Sequence, residues 1–199
     1  MDVPRTLPER LFLLACDLER ERMTARFDLG MALRAAALSD LLLDGYVEDA
    51  GGSPAATRKP PPDDPFLLAA YERIAAVGPR SWQRWIRRAE PGTVRTVRDR
   101  LEEARQIRVE PRGLLPARIT VRDRRAAKRH LALVQTGLRR PPSRLDPRDE
   151  AVLALALAAR LRTVATAFER RRHAERVRPL VAEPIPRALR RAIRARHNS

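Results

Sequence analysis

Two arginines three residues apart, Arg95 and Arg98, stand in the stretch Val94-Arg95-Thr96-Val97-Arg98-Asp99-Arg100-Leu101. On a helix that spacing makes them neighbours on one face. Paired guanidinium groups present planar forks of donors that match phosphate oxygens bidentately, which lysine does not. Arg34, in Ala32-Leu33-Arg34, is a third group that packing could bring to the same place. A second feature has the opposite character. Gly113-Leu114-Leu115-Pro116 sets two leucines among turn residues, where polar side chains are the rule. Such a tip can wedge into lipid or into another subunit. Each feature also has a plainer reading. Arg95 and Arg98 could be a solvated face, paired with Asp99 or Glu102 in ordinary surface ion pairs. The two leucines could fold back onto the core.

Little else in the chain suggests chemistry. There is no Gly-rich phosphate loop, and no Cys/His cluster has metal-ligand spacing. His130, His173 and His197 lie far apart in Arg-rich segments, which reads as exposed positions rather than a nucleophile–base pair. Asp63-Asp64 falls in a Pro-rich stretch without rigid support for paired carboxylates. Cys16 has no cationic neighbour in sequence to lower its pKa, so it reads as a buried structural thiol. The expectation is a binding protein and not an enzyme, with no cofactor and no metal.

Charge says what would be bound. The 199 residues carry 41 basic and 25 acidic side chains, and all the basic ones except Lys59 and Lys128 are arginine. Residues 1–79 hold 9 basic and 13 acidic groups, whereas 80–199 hold 32 and 12. An excess that local points to a polyanion: nucleic acid, an anionic membrane surface or a phosphorylated ligand. Aromatic residues are 4% of the chain, too few for an all-β sandwich or barrel. One cysteine permits no internal disulfide, which suits a cytosolic setting. The apolar run Leu11–Cys16, flanked by Glu9-Arg10 and Asp17, is too short for a signal sequence.

The elements that must position these groups are mostly helical. Pro8 to Leu18 reads as a short buried helix. Asp28 is a candidate cap for the next, with Leu33, Ala37, Leu38, Leu41 and Leu42 at three-to-four spacing and Gly45 at its end. Tyr46 to Glu48 reads as a short strand. Residues 49–65, with Gly51-Gly52 and Pro60-Pro61-Pro62, read as a mobile surface loop. Helices follow at Phe66–Val77, after Ser81, and from Gly92-Thr93 to about Arg105, where Val94, Val97 and Leu101 form the inner stripe. Ile107 to Val121 reads as a β-hairpin. Asp123 to Gly137 is a basic helix. Asp146 and Asp149 start a long helix to about His173, whose part Ala151–Leu161 is apolar nearly all round and so central. Arg187 to His197 is a terminal basic helix. The fold class expected is mainly α: one domain over 1–199, built around an apolar central helix, with a protruding hairpin at about 107–121.

These stretches resemble the Golgi phosphoprotein 3 family in its short, bacterial type. Leu11-Phe12-Leu13-Leu14 resembles the family's opening leucine-rich helix. Ala32-Leu33-Arg34 through Leu41-Leu42-Leu43-Asp44-Gly45-Tyr46-Val47 resembles its next helix and turn. Val94 to Leu101 with the hairpin after it, and Leu153 to Phe168, resemble its arginine helix and core helix. The resemblance implies a mostly helical domain that binds phosphatidylinositol 4-phosphate or a related phospholipid on membranes. It implies a headgroup pocket at Arg34, Arg95 and Arg98. It also implies a hairpin, with Gly113, Leu114, Leu115 and Pro116 at its tip, that contacts the membrane and self-associates. Ala25 or Arg26 stands where the family's pocket tryptophan falls, with Phe27 nearby.

The first expectation is therefore a peripheral protein on the cytoplasmic face of a membrane, holding an anionic phospholipid headgroup, with a homo-oligomer through the hairpin as a further partner. The alternative is a nucleic-acid-binding module of winged-helix type using 80–199, with Arg95–Arg105 as recognition helix. Against the alternative, the hairpin tip carries leucines where a DNA wing would carry lysine or arginine.

Overall fold

The computed structural model describes residues 4, 6–24, 26–88, 92–113, 115–139 and 145–198, with the backbone alone at 26, 27, 115 and 116. Pro8 lies in the first turn of α1 (Leu7–Ala15), whose Leu7, Leu11, Phe12 and Leu14 are buried. A short antiparallel pair, β1 (Cys16–Asp17) and β2 (Arg22–Met23), turns the chain into α2 (Arg26–Leu43). Asp28 is in the first turn of α2 rather than at its cap. There a carboxylate still favours the positive end of the helix dipole. Gly45 follows the helix at φ 71°, a left-handed conformation that glycine takes without a Cβ penalty.

The stretch expected to be a loop from 49 to 65 is in part a packed element. β3 (Val47–Asp49) pairs antiparallel with β4 (Pro54–Ala56), and Gly51 and Gly52, at φ 64° and 92°, make the turn between them. A residue far along the chain fastens it. The Trp82 indole Nε1 donates to Asp49 Oδ1 at 2.6 Å, and the Trp82 backbone N–H donates to the Gly52 carbonyl at 3.1 Å. That demand arises from a buried indole 33 residues away, so local turn composition did not reveal it.

α3 (Pro65–Val77) starts at Asp64, whose carboxylate accepts from the N–H of Phe66 and Leu67. α4 (Trp82–Arg87) starts at Ser81 and buries Trp82, Trp85 and Ile86. α5 (Thr93–Glu103) buries Thr93, Val97 and Leu101, close to the stripe that the spacing predicts. β5 (Ile107–Arg112) and β6 (Leu115–Val121) form the long hairpin, with Ile107 opposite Val121 and a register irregularity between Glu110 and Arg112. Its base is anchored: Ile107, Ile119 and Val121 are buried, and the Ile119 N–H donates to the Glu21 carbonyl at 3.1 Å. Residues 111–113 are exposed.

α6 (Arg124–Gly137), capped by Asp123, turns Ala126, His130, Val134 and Gly137 inward. His130 is thus buried, not exposed as its Arg-rich surroundings suggest, because it falls on the inward i, i+4 row. α7 (Pro147–Ala158), capped by Asp146, is buried at every position from Val152 to Ala158. It packs against α1, α2 and α6, against α9 (Ala174–Leu180), and against α10 (Pro184–His197). The expectation of one helix running on to His173 does not hold. α7 ends at Ala158, Arg160 takes φ 55°, and a new helix, α8 (Ala167–Arg172), starts at a Thr166–Glu169 capping box. The break serves packing. Thr163 Oγ1 donates to the Leu14 carbonyl, and Gln135 Nε2 donates to the Thr163 carbonyl at 3.2 Å, which a continuing helix would forfeit.

Ion pairs sew the helices together. Arg148 of α7 pairs with Asp44, just past the end of α2, and donates a hydrogen bond to Asp40 within α2, and Arg10 of α1 reaches Asp149 at 3.1 Å. Arg100 of α5 holds Glu9 at 3.0 Å and Asp64 at 2.6 Å. Cys16 is buried with its thiol pushed up to about 12 by desolvation, as a structural thiol should be.

Candidate functional site

Arg34 projects from α2 toward the start of α5. Its Nε donates to the Ile86 carbonyl at 2.9 Å, so α4 fixes the direction of the guanidinium. Gly30, one turn earlier, lies beside the group. A Cβ built at Gly30 would lie 3.6 Å from Arg34 Nη1 and 3.7 Å from Val94 Cγ2. The tip of Arg34 therefore lies at the junction of α2 with the first turn of α5. Burial lowers the Arg34 pKa, yet a guanidinium stays charged under any ordinary condition.

Arg98 is one turn beyond Val94, and Arg95 is the residue after Val94. Arg95 is exposed. Arg98 is half-buried and gives Nε and Nη2 to Asp99 Oδ1, at 2.9 and 2.7 Å. The Asp99 side chain is itself 45% exposed, so the pair sits at the surface, where such contacts contribute little and exchange readily. Arg100, which belongs to the same arginine-rich stretch, is committed elsewhere. Its bonds to Glu9 and to Asp64, the cap of α3, tie α1, α3 and α5 together.

A cleft of about 620 Å³ opens beside this junction, lined among others by Arg34, Phe66, Trp85, Thr96 and Arg100. Arg95 and Arg98 are not among its lining residues. Helical geometry turns them to the other side of α5 from Thr96 and Arg100. Arg34 belongs to both neighbourhoods, with one flank on the cleft and Nη1 on the Val94 side. The sequence reading did not assign Trp85 to the site. Its indole Nε1 is buried and has no hydrogen-bond partner among the described residues. The pair Trp82 and Trp85 was visible in sequence, but which of them would line this cleft with Arg34 was not.

The positive field continues along α4. Arg80, Arg84, Arg87 and Arg88 surround a shallow concavity of about 520 Å³. At the hairpin, Gly113 is exposed and takes φ 58°. Leu114 lies outside the described residues. Leu115 and Pro116 are described by backbone alone, as the start of β6. Of the two positions that the resemblance sets against the pocket tryptophan, Ala25 lies outside the described residues and Arg26 is described by backbone alone.

Among the described residues no group of three or more His, Cys, Asp and Glu could hold a metal ion. No described helix is long and apolar enough to cross a membrane.

Fold and site define a mainly helical domain with, among the described residues, three small two-stranded sheets and an arginine-bearing junction between α2, α4 and α5. The family model described as Golgi phosphoprotein 3 (GPP34) matches residues 7–196, nearly the whole chain, and the protein belongs to that family. A search of curated proteins found no match.

Proposed function

We propose that this protein is a peripheral membrane protein that binds an anionic phospholipid headgroup, phosphatidylinositol 4-phosphate or a close relative, through Arg34, Arg95 and Arg98. The observation that carries this reading is the placement of Arg34. With Nε spent on the Ile86 carbonyl, the guanidinium keeps its outer nitrogens for a ligand at the α2–α5 junction. Arg98 and Arg95 extend from the same turn of α5, and the positive end of the α5 dipole lies beside them. Asp99 is the gatekeeper, since a phosphate must displace or bridge its surface pair with Arg98. Trp85 supports the reading by lining the same cleft as Arg34, from a different point of the chain than the family's tryptophan.

The remaining parts act together. The arginines of α4 and α10 supply attraction to an anionic surface, and the hairpin tip at Gly113 to Pro116 supplies an apolar contact with membrane or with a second copy. Two weak anchors hold a protein on a bilayer where either alone is marginal. The reading places the protein on the cytoplasmic face, as a binder without catalysis and without a cofactor.

Co-sedimentation with vesicles at moderate salt tests it. The vesicles are neutral, generally anionic, or doped with phosphatidylinositol 4-phosphate, and a duplex-DNA gel shift runs alongside. Binding should be selective for the phosphorylated lipid, should fall on Arg34→Ala, Arg95→Ala or Leu114→Asp, and should be partly salt-resistant. Equal binding to every polyanion, DNA included, with a steep loss in salt, would sink the pocket and favour the nucleic-acid reading.

A further inference from the structure

A second group of arginines gathers where α7 and α10 end. Arg160 follows the last turn of α7 at φ 55° and closes that helix: its N–H donates to the Leu157 carbonyl at 3.1 Å and the Leu161 N–H to the Ala156 carbonyl at 2.9 Å, a cap that usually carries glycine and that a non-glycine residue adopts at a cost. Arg190 and Arg194 stand one turn apart on α10. All three line one hollow of about 350 Å³, with Ala158 and Ile193 among its other walls and with Asp28 and His197 also lining it.

The charges in this hollow are not balanced from within. Among the described residues, Arg160, Arg190 and Arg194 have no acidic partner within ion-pair distance. The one carboxylate lining the hollow, Asp28, is taken by Arg196 at 2.8 Å and by His197 at 3.3 Å. Burial lowers the Arg190 pKa, and repulsion from Arg194 and Arg160 lowers it further. Next door, Arg170 is likewise lowered by burial and then by Arg160 and Arg162, although it donates to the Ala165 carbonyl.

Arginine at a helix C-terminus is ordinarily explained by the negative end of the dipole. That accounts for Arg194, in the last turn of α10. It does not account for Arg190, about two turns from the end of α10 and partly buried. Arg160, just past the C-terminal end of α7, is favoured there by the α7 dipole in the same way, so Arg190 is the charge left without that explanation. We propose that Arg160, Arg190 and Arg194 form a second anion site, which binds a phosphate oxyanion in the hollow between the ends of α7 and α10. Three guanidinium forks from two elements match a tetrahedral oxyanion better than a single carboxylate. Among the described residues the hollow has no Phe, Tyr or Trp wall on which a base could stack, so the recognised unit is the phosphate itself, as a free ion or as a phospholipid headgroup. This site stands independently of the one at Arg34.

The test uses the full chain with Arg34, Arg95 and Arg98 each changed to Gln, so that the first site is silent. Its melting temperature is followed in inorganic phosphate and in chloride at matched ionic strength. Its sedimentation is followed with phosphatidylcholine vesicles, with and without phosphatidic acid. A saturable rise in phosphate but not in chloride is expected. Adding Arg190→Gln and Arg194→Gln should weaken it roughly tenfold or more, because charge-assisted bonds are lost. The same changes should raise the melting temperature in chloride by relieving repulsion, which also shows that the variant folds. Arg160→Gly should likewise raise it in chloride, by relieving the left-handed strain, and weaken phosphate binding. Inorganic phosphate bound at this strength marks a soluble ligand. Binding confined to phosphatidic acid vesicles and lost with the two substitutions marks a lipid headgroup, and either result supports the site. Binding to neither probe, or binding that the substitutions leave intact, overturns it.

Discussion

Replacing Asp40 by Asn should unmask a pH dependence of stability that the native protein hides. Asp40 is 1% exposed and His130 is 4% exposed. Burial pushes the Asp40 carboxyl up from 3.8 to about 7, although the Leu7 N–H and Arg148 pull the other way. Burial pushes His130 down from 6.5 to about 4, with help from Arg10. Between these limits folded Asp40 holds a proton that the unfolded chain releases, so its contribution falls as pH rises. Over much the same range unfolded His130 holds a proton that the folded chain lacks, so its contribution rises with pH. Each slope approaches about 1.4 kcal/mol per pH unit, and the two nearly cancel. From about pH 4.5 to about pH 6 each amounts to about 2 kcal/mol.

Asn at position 40 keeps an acceptor for the Leu7 N–H, now 2.7 Å from Asp40 Oδ2, and removes the titration. Stability should then climb by about 2 kcal/mol over that interval. In His130→Leu the opposite slope should appear, with little loss of contacts, because His130 Nε2 has no hydrogen-bond partner among the described residues. Asp149, raised by burial, shifts all three proteins alike and leaves the differences intact. Urea unfolding followed by circular dichroism at the two pH values reads each slope. An Asp40→Asn protein whose pH profile overlays that of the native chain would refute the reasoning.

Three further substitutions test the packing. Arg100→Ala releases both Glu9 and the α3 cap Asp64; we expect a loss of about 2 kcal/mol in urea unfolding, since two carboxylates lose a charge-assisted partner. Gly137→Ala would put a Cβ 2.8 Å from Leu145 Cδ1 and 3.0 Å from Leu153 Cδ2; overpacking against the core should cost about 1–2 kcal/mol, and an unchanged melting temperature would show that both leucines yield. Thr166→Ala removes the capping box of α8 and should cost about 1 kcal/mol, with faster amide exchange in 167–172 as its local sign.

Much of the fold was legible in the residues because the signals are local. Ser81, Asp123 and Asp146 each stand at a helix start and accept from a backbone N–H just beyond, a bond made within one turn. The inward positions Val97 and Leu101 follow from helical period, and the antiparallel register of Ile107 with Val121 continues the alternation of the hairpin. The run Ala151–Ala159, apolar at every position, declared its central place through the absence of any polar face. The misplaced features depend on partners distant in sequence. Residues 49–56 are a hairpin because the indole of Trp82 needs Asp49, and the chain breaks after Ala158 because Thr163 meets α1 and α6. His130 is buried because its row on α6 faces inward, whatever the charge of its neighbours.

The site divides in the same way. Residue type and spacing alone marked Arg95 and Arg98 as neighbours and gave 80–199 its positive charge. Only the tertiary structure decided that Arg34 is steered by the Ile86 carbonyl to the junction with α5, and that Arg100 is consumed by Glu9 and Asp64. It also set Trp85 and Arg34 on one cleft and gathered Arg160, Arg190 and Arg194 in one hollow. A cap or a stripe is set within one or two turns of chain, so its energy is written in adjacent residues. The direction of a long guanidinium is set by whichever carbonyl or carboxylate the packed core brings within 3 Å or so, and that neighbour exists only once the helices have docked.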